Sequence, residues 1–382
     1  MSTAVGIRQA AGSLLVVGLS GAELTPLERA WLKLVRPAGV ILFRRNIVDV
    51  EQTRALLNEA TGLGARHAVR CVDVEGGTVN RLRDALSPIA SAQAVAAASR
   101  AAKKPSLARK HGELIAGAVK EFGFNTTLAP VVDLTLPESA EVLGSRTSGA
   151  TSADVIAYAR EFLAGIAAQR VVGCGKHFPG LGGASGDTHF VTPAIERNWE
   201  QMWNEDMVPY RELHRAMPMI MTNHAAYPRT TGKKEPASAS RFWITEMLRK
   251  KIGYKGIVLS DDLEMGGILK FLPVEEAVVA AIRAGSDLVE ICHSAELILR
   301  TYEALISAAE RSAAFRKILL GAARSSSRKR SKLFARGLPP RLNAKRLATL
   351  RNEIVKFNDA VTGILKAAED ATPRAASPAE AS

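Results

Sequence analysis

The chain has 382 residues, with 51 basic and 38 acidic side chains and a formal charge of +13. Hydrophobic residues make up 47% and charged residues 23%, the balance of a chain that folds around a buried core. That excludes an intrinsically disordered protein, a collagen-like fibre and a small disulfide scaffold.

Short apolar runs rich in β-branched residues alternate with helical patterns, which predicts parallel strands joined by crossover helices. The strand runs are 13–19 (SLLVVGL), 39–43 (GVILF), 68–74 (AVRCVDV), 127–133 (TLAPVVD), 171–176 (VVGCGK), 217–222 (MPMIMT), 256–260 (GIVLS) and 287–292 (DLVEIC). Helix start signals fall between them. Thr25 and Pro26, ahead of LERAWLKLV, supply a capping hydroxyl and a first-turn proline, with Glu28 three residues after the cap. Asp49 and Gln52 do the same for the next helix, and 153–168 and 295–309 are amphipathic over helical lengths. Eight βα repeats in roughly 300 residues predict an α/β fold, a closed (β/α)8 TIM-like barrel. A doubly wound open sheet would carry a glycine-rich dinucleotide turn after its first strand, and GLSGAEL does not spell one.

The barrel is expected to occupy 1–335 as a single catalytic domain. Leu338-Pro339-Pro340 marks a linker, and 336–369 holds it and one more amphipathic helix, at 343–368. The Ala-, Pro- and Ser-rich 370–382 is expected to be disordered. Between Arg324 and Arg351 lie ten Lys or Arg and no acid, so the rest of the chain carries only +3. This basic segment reads as a solvated helix face. Nucleic acid is disfavoured as a partner, because only Phe334 interleaves with the charges and base stacking needs more. No membrane partner is expected, since 13–19 is too short to span and lacks a signal-peptide layout. Cys71, Cys174 and Cys292 lie far apart in apolar runs without zinc spacing, which predicts reduced buried thiols and a cytoplasmic protein.

In such a barrel the chemistry sits at the C-terminal ends of the strands. The third strand ends in Asp73-Val74-Glu75-Gly76-Gly77 with Arg81 beyond, and the fourth reaches Asp133 and a loop carrying Arg146. The fifth ends in Lys176-His177, the sixth in Asn223-His224, and the seventh in Asp261-Asp262. Taken singly, Asp133 and Asp262 read as caps or turn formers; five successive strands with ionisable ends read as a site. Gly180, Gly182, Gly183 and Gly186 make KHFPGLGGASGDTH conformationally permissive. A loop of that kind ending in Asp187 and His189 suggests a catalytic arm, with the carboxylate fixing the imidazole's tautomer. His177, His224, Asp187 and His189 could in principle ligate zinc, but there is no HExxH and Lys176 repels a cation beside His177. A rim of carboxylates, arginines and a lysine suits a polyhydroxylated substrate. Cleaving an acetal needs one group to stabilise an oxocarbenium-like carbon and another to protonate the leaving oxygen. Asp261 or Asp262 could be the first, and His189 the second.

Seven runs carry a resemblance: DVEGGTVNR (73–81), LGSR (143–146), KHFPG (176–180), GDTH (186–189), NHAAYP (223–228), PASAS (236–240) and KGIVLSDDLEM (255–265). Over 14–292 the chain resembles the single-domain bacterial β-N-acetylglucosaminidases of glycoside hydrolase family 3, the branch that acts in peptidoglycan recycling. The resemblance implies a retaining mechanism with Asp261 as nucleophile, His189 as acid/base and Asp187 as its orienting partner. It implies that Asp73, Arg81, Arg146, Lys176 and His177 hold the terminal sugar. The implied substrate is β-linked N-acetylglucosamine on a muropeptide or related oligosaccharide, in the cytoplasm, with no metal or organic cofactor. The chain departs from the family pattern at Thr78, Leu181 and Gly183, none of which is assigned a bond-making role. Two alternatives stand beside the hydrolase: a phosphorylase using the same nucleophile, since an imidazole acid/base does not repel phosphate as a carboxylate would, and a non-catalytic muropeptide-binding barrel. The β-glucosidase branch commonly adds a second α/β domain, for which 382 residues leave no room after the barrel.

Overall fold

The computed structural model describes residues 3–184, 192–335 and 344–371. Eight parallel strands close on themselves: β1 (Leu15–Val17), β2 (Gly39–Leu42), β3 (Val69–Val72), β4 (Thr126–Thr127), β5 (Val172–Phe178), β6 (Met219–Thr222), β7 (Ile257–Asp262) and β8 (Leu288–Ile291). Each pairs with its sequence neighbours, and β1 closes the ring against β8. The barrel follows from strand alternation. Val16, Ile41, Cys71, Cys174, Leu259, Leu288 and Cys292 face inward and pack together, while Leu15, Val40, Val72, Val258 and Val289 face the surrounding helices. All three cysteines are buried free thiols. The predicted caps are present. Thr25 accepts the Glu28 N–H while Glu28 answers at the Thr25 N–H, and Asp49 accepts the N–H of Gln52. Among the described residues no helix is long and apolar enough to cross a membrane.

The third and fourth strands end earlier than predicted, with consequences for the site. The fourth stops after Thr127 because Pro130, which has no N–H, interrupts the run. The chain nevertheless stays beside β5, with Val132 N–H bonded to Lys176 O at 2.8 Å. The third stops at Val72, and Val74–Gly76 turns away to pair antiparallel with Val79–Asn80. That departure carries Glu75 over the barrel mouth.

The basic segment is solvated at Arg324, Arg328, Lys332, Lys345, Arg346 and Arg351, as expected, and departs from that reading at Lys329 and Arg330. Helix Ala313–Phe334 crosses the N-terminal end of the barrel, where Phe334 joins the interior cluster. Arg330 is 1% exposed and donates to the carbonyls of Arg66 at 2.8 Å and His67 at 3.2 Å, just before β3. Lys329 donates to Gly256 O and to Asp287, just before β7 and β8. Loop carbonyls at strand entrances need donors, and long cationic side chains reach them with an apolar stem lying on the core. A last helix, Ala344–Asp370, close to the 343–368 expected, buries Ile354, Phe357 and Val361 against helices Ala92–Ala101 and Ser106–Glu121. The linker at 338–340 and the tail beyond 371 lie outside the described residues.

Arg330→Ala should lower stability by about 2–4 kcal/mol in urea unfolding, since it strands buried carbonyls and opens a cavity. The exposed neighbour Arg328→Ala should stay within about 0.5 kcal/mol of the parent.

Candidate active site

Four charged side chains interlock at the barrel mouth. Glu75 is buried, and Arg146 grips it with two bonds of 2.9 Å, Nε to Oε2 and Nη2 to Oε1. Lys176, at the end of β5, lies 2.7 Å from Glu75 Oε1 and 2.8 Å from Asp73 Oδ1. Burial opposes ionisation of Glu75, but Arg146 and Lys176 outweigh it and hold the carboxyl well below the usual carboxylate range. Burial likewise opposes charge on Lys176, and Asp73 and Glu75 overcome it to hold the ammonium firmly protonated. Arg81 stands more loosely, 3.8 Å from Asp73 Oδ2, with its Nε unpartnered among the described residues. Its N–H bonds to the Asp73 carbonyl at 3.0 Å.

A second tie fixes His177. Asp133 accepts from the His177 backbone N–H at 3.2 Å and from Leu181 N–H at 2.7 Å, and lies 2.7 Å from His177 Nδ1. This places Nε2 toward the cavity, 3.4 Å from Arg146 Nη2. Asp133 is therefore both the turn former its sequence context suggested and the orienter of a site histidine.

The two aspartates at the end of β7 diverge. Asp261 lines the cavity. Burial works against its carboxylate, but His177, His224 and Lys176, with the Asp262 N–H at 3.0 Å, hold its pKa below the ordinary value. Asp262 accepts from Glu264 N–H and Cys292 N–H, and burial pushes its pKa up to about 8. Asp262, which also borders the cavity, is the turn former, and Asp261 is the anion beside it. His224 is a strut rather than a rim group, bonded through Nδ1 to Ser238 Oγ at 2.7 Å and through Nε2 to Asp262 O at 2.9 Å.

Asp73, Arg81, Arg146, Lys176, His177 and Asp261 all line one cavity of about 170 Å³. Six of the eight site residues expected from sequence thus converge; Asp187 and His189 lie outside the described residues. A larger concavity of about 1140 Å³, between residues 230–242 and helices Val274–Ala284 and Ala295–Arg311, contains none of the six and is remote from this chemistry. Of the residues departing from the family pattern, Leu181 lines the cavity, while a Cβ on Gly183 would lie 2.9 Å from the Arg197 side chain. Among the described residues no group of three or more His, Cys, Asp or Glu is placed to hold a metal ion.

Sequence reasoning assigned no role to Glu75, Glu290 or His293. Glu75 was legible as a charged residue inside the DVEGG run. Glu290 was legible from alternation, since in DLVEIC it shares a face with the inward Leu288 and Cys292. It lines the cavity almost fully buried, and burial, with Asp73, Asp261 and Asp262 nearby, raises its pKa well above the usual carboxylate value. His293 left no signal. It stands beside Phe43 and 3.0 Å from an Nη of Arg45, whose guanidinium also caps the Cys292 and Leu19 carbonyls.

A closed (β/α)8 barrel with an ionised aspartate and a clamped set of carboxylates and cations at its C-terminal mouth has the groups that an enzyme cleaving a glycosidic bond requires. Residues 7–318 match the N-terminal domain of glycosyl hydrolase family 3, and the chain belongs to that family. It is 32% identical over 296 residues to a β-hexosaminidase of Idiomarina loihiensis, covering 78% of this chain and 88% of the relative. It is 34% identical over 285 residues to a β-hexosaminidase of Chromobacterium violaceum, covering 74% and 79%. Among solved structures, a family 3 β-N-acetylglucosaminidase from Paenibacillus superimposes with a TM-score of 0.81 at 28% identity, over 92% of this chain and 68% of that one. NagZ from Neisseria gonorrhoeae, in complex with N-trifluoroacetyl-D-glucosamine, gives 0.69 at 27% identity, over 83% and 98%.

Glu75→Gln should destabilise the protein by roughly 3 kcal/mol at neutral pH, because two buried cations lose their shared anion. The folded carboxyl binds a proton less readily than the unfolded one, whose pKa is about 4.3. Its contribution is therefore complete above that value and fades as pH falls toward the lower folded value. Thermal unfolding across pH should show the difference between parent and variant shrinking below about pH 4.

Proposed function

We propose that this β-hexosaminidase is a retaining exo-β-N-acetylglucosaminidase that removes terminal β-linked N-acetylglucosamine from muropeptides. The observation that carries the reading is Asp261: half-buried, held ionised, and facing a cavity whose walls are fixed cations and carboxylates. Its oxygen attacks the anomeric carbon, a bond forms between them, and the glycosidic bond breaks. His189, oriented by Asp187, gives its proton to the departing oxygen. It then takes a proton from the water that releases the sugar from Asp261. Asp73, Arg81, Arg146, Lys176 and His177 bind the sugar's hydroxyls and amide. Interlocked ion pairs keep these groups in register before substrate arrives, so less order is lost on binding. The flanks of 185–191 support the acid/base assignment. Leu181 lines the cavity, and Thr192 donates to the carbonyl of Gly267 at 2.5 Å, two residues past the lining Met265. The buried free thiols suit a reducing compartment, in keeping with action in the cytoplasm.

Asp261→Ala should lower turnover of an aryl N-acetyl-β-glucosaminide by at least ~10⁴-fold while the folded protein still binds N-acetylglucosamine. Residual turnover near the parent's would remove Asp261 from the mechanism. His189→Ala should slow substrates with poor leaving groups far more than activated aryl glycosides, because only the former need protonation. Equal slowing of both classes would count against it.

A further inference from the structure

The last helix, Ala344–Asp370, lies outside the stretch matched to the family, yet it bonds to the segment that carries the site. Residues 85–90 are irregular and cannot satisfy their own backbone groups through a helix or ladder. Two side chains of the last helix do it for them. Arg351 Nε donates to Leu86 O at 2.9 Å and Nη2 to Ala85 O at 3.3 Å. Asn358 donates to Pro88 O and accepts from Ala90 N–H, each at 2.9 Å. Arg351, Ile354, Phe357, Asn358 and Val361 follow helical spacing, so one face both buries apolar area and presents these donors. Phe357 stacks on His111 at 5.9 Å, directly behind the Gly76 turn.

Residues 85–90 in turn press on the turn that presents Glu75 and Arg81. Gly76 and Gly77 both take positive φ. A Cβ on Gly76 would lie 2.2 Å from Ala90 O, and one on Gly77 2.7 Å from the Ser91 side chain. Gly77 N–H bonds to Ile89 O at 2.8 Å, and Asn80 reaches Ser87 O at 3.3 Å while accepting from Leu82 N–H. The path from Asn358 to Arg81 is thus a continuous set of side-chain and backbone hydrogen bonds and close contacts.

We propose that Arg351 and Asn358 are positioning residues for the sugar site: the C-terminal helix holds 85–90 against the Gly76–Gly77 turn and so sets where Glu75 and Arg81 stand. The inference rests on the sugar-binding role given to Arg81 and its neighbours. A small displacement of a binding group is costly at such a site, and its cost appears in substrate binding rather than in bond making.

The test uses the full chain and an aryl N-acetyl-β-glucosaminide, comparing the parent with Arg351→Met/Asn358→Leu, which keeps an unbranched stem at 351 and the branched outline at 358 and removes the hydrogen-bonding groups. KM should rise about tenfold with kcat within about twofold. Hydrogen exchange at 76–91 should speed up while 354–361 stays protected, showing that the helix is still docked. Asn358→Asp, which keeps only the bond from Ala90 N–H, should give an intermediate KM. Unchanged KM overturns the proposal, whether or not exchange at 76–91 changes. So does a fall in melting temperature with KM and exchange at 76–91 both unaltered. A parent without turnover would instead sink the enzymatic reading. The anchoring would then be judged by exchange alone, and unaltered protection at 76–91 would refute it.

Discussion

The site depends on one buried ionic contact, Glu75 held between Arg146 and Lys176. These three residues come from a ribbon after β3, from the loop beyond β4 and from the end of β5. A carboxylate taken out of water is tolerable only with full compensation, so the cluster either forms complete or not at all. When it forms, three separate stretches of chain are locked at the same corner of the barrel. Asp133 adds a second lock: it accepts the backbone N–H groups of His177, in β5, and of Leu181, just beyond it, and lies 2.7 Å from His177 Nδ1, so that His177 is oriented.

Around that corner the carboxyls of the cavity divide into two kinds. Glu75 and Asp261 lie near positive groups and remain anions despite burial. Asp262 and Glu290 are buried with other carboxyls close by, and their protonated forms are favoured. The cavity holds more acids than its cations can balance, so burial selects which of them keep a proton. The ionised one on β7 faces open space. Its neighbour also borders the cavity but accepts the N–H groups of Glu264 and Cys292, so two adjacent residues of one type differ in partners and in charge.

The opposite end of the barrel and its flank are governed by cations acting as struts. Arg330 and Lys329 satisfy carbonyls and a carboxylate at strand entrances, while Arg346 pairs with the buried Glu121. These three cations are therefore structural as well as charged. The extension beyond the family's stretch is joined to the barrel by side chain to backbone bonds. These place it behind the ribbon that carries Glu75.

The sequence by itself determined the eight strands, the helix caps at Thr25 and Asp49, and the line of ionisable residues at successive strand ends. Each of these is a local property, encoded in periodicity or in a spacing of three or four residues. It did not reveal that Asp133 serves His177, that Asp262 accepts the N–H groups of Glu264 and Cys292, or that Arg330 is buried. Nor could it show Asn358 bonding to Ala90. Those outcomes pair residues tens to hundreds of positions apart, and closure of the barrel brings them together. The protonation states of Asp262 and Glu290 were equally beyond local reading, because a pKa follows from burial and from neighbours that only the folded chain supplies.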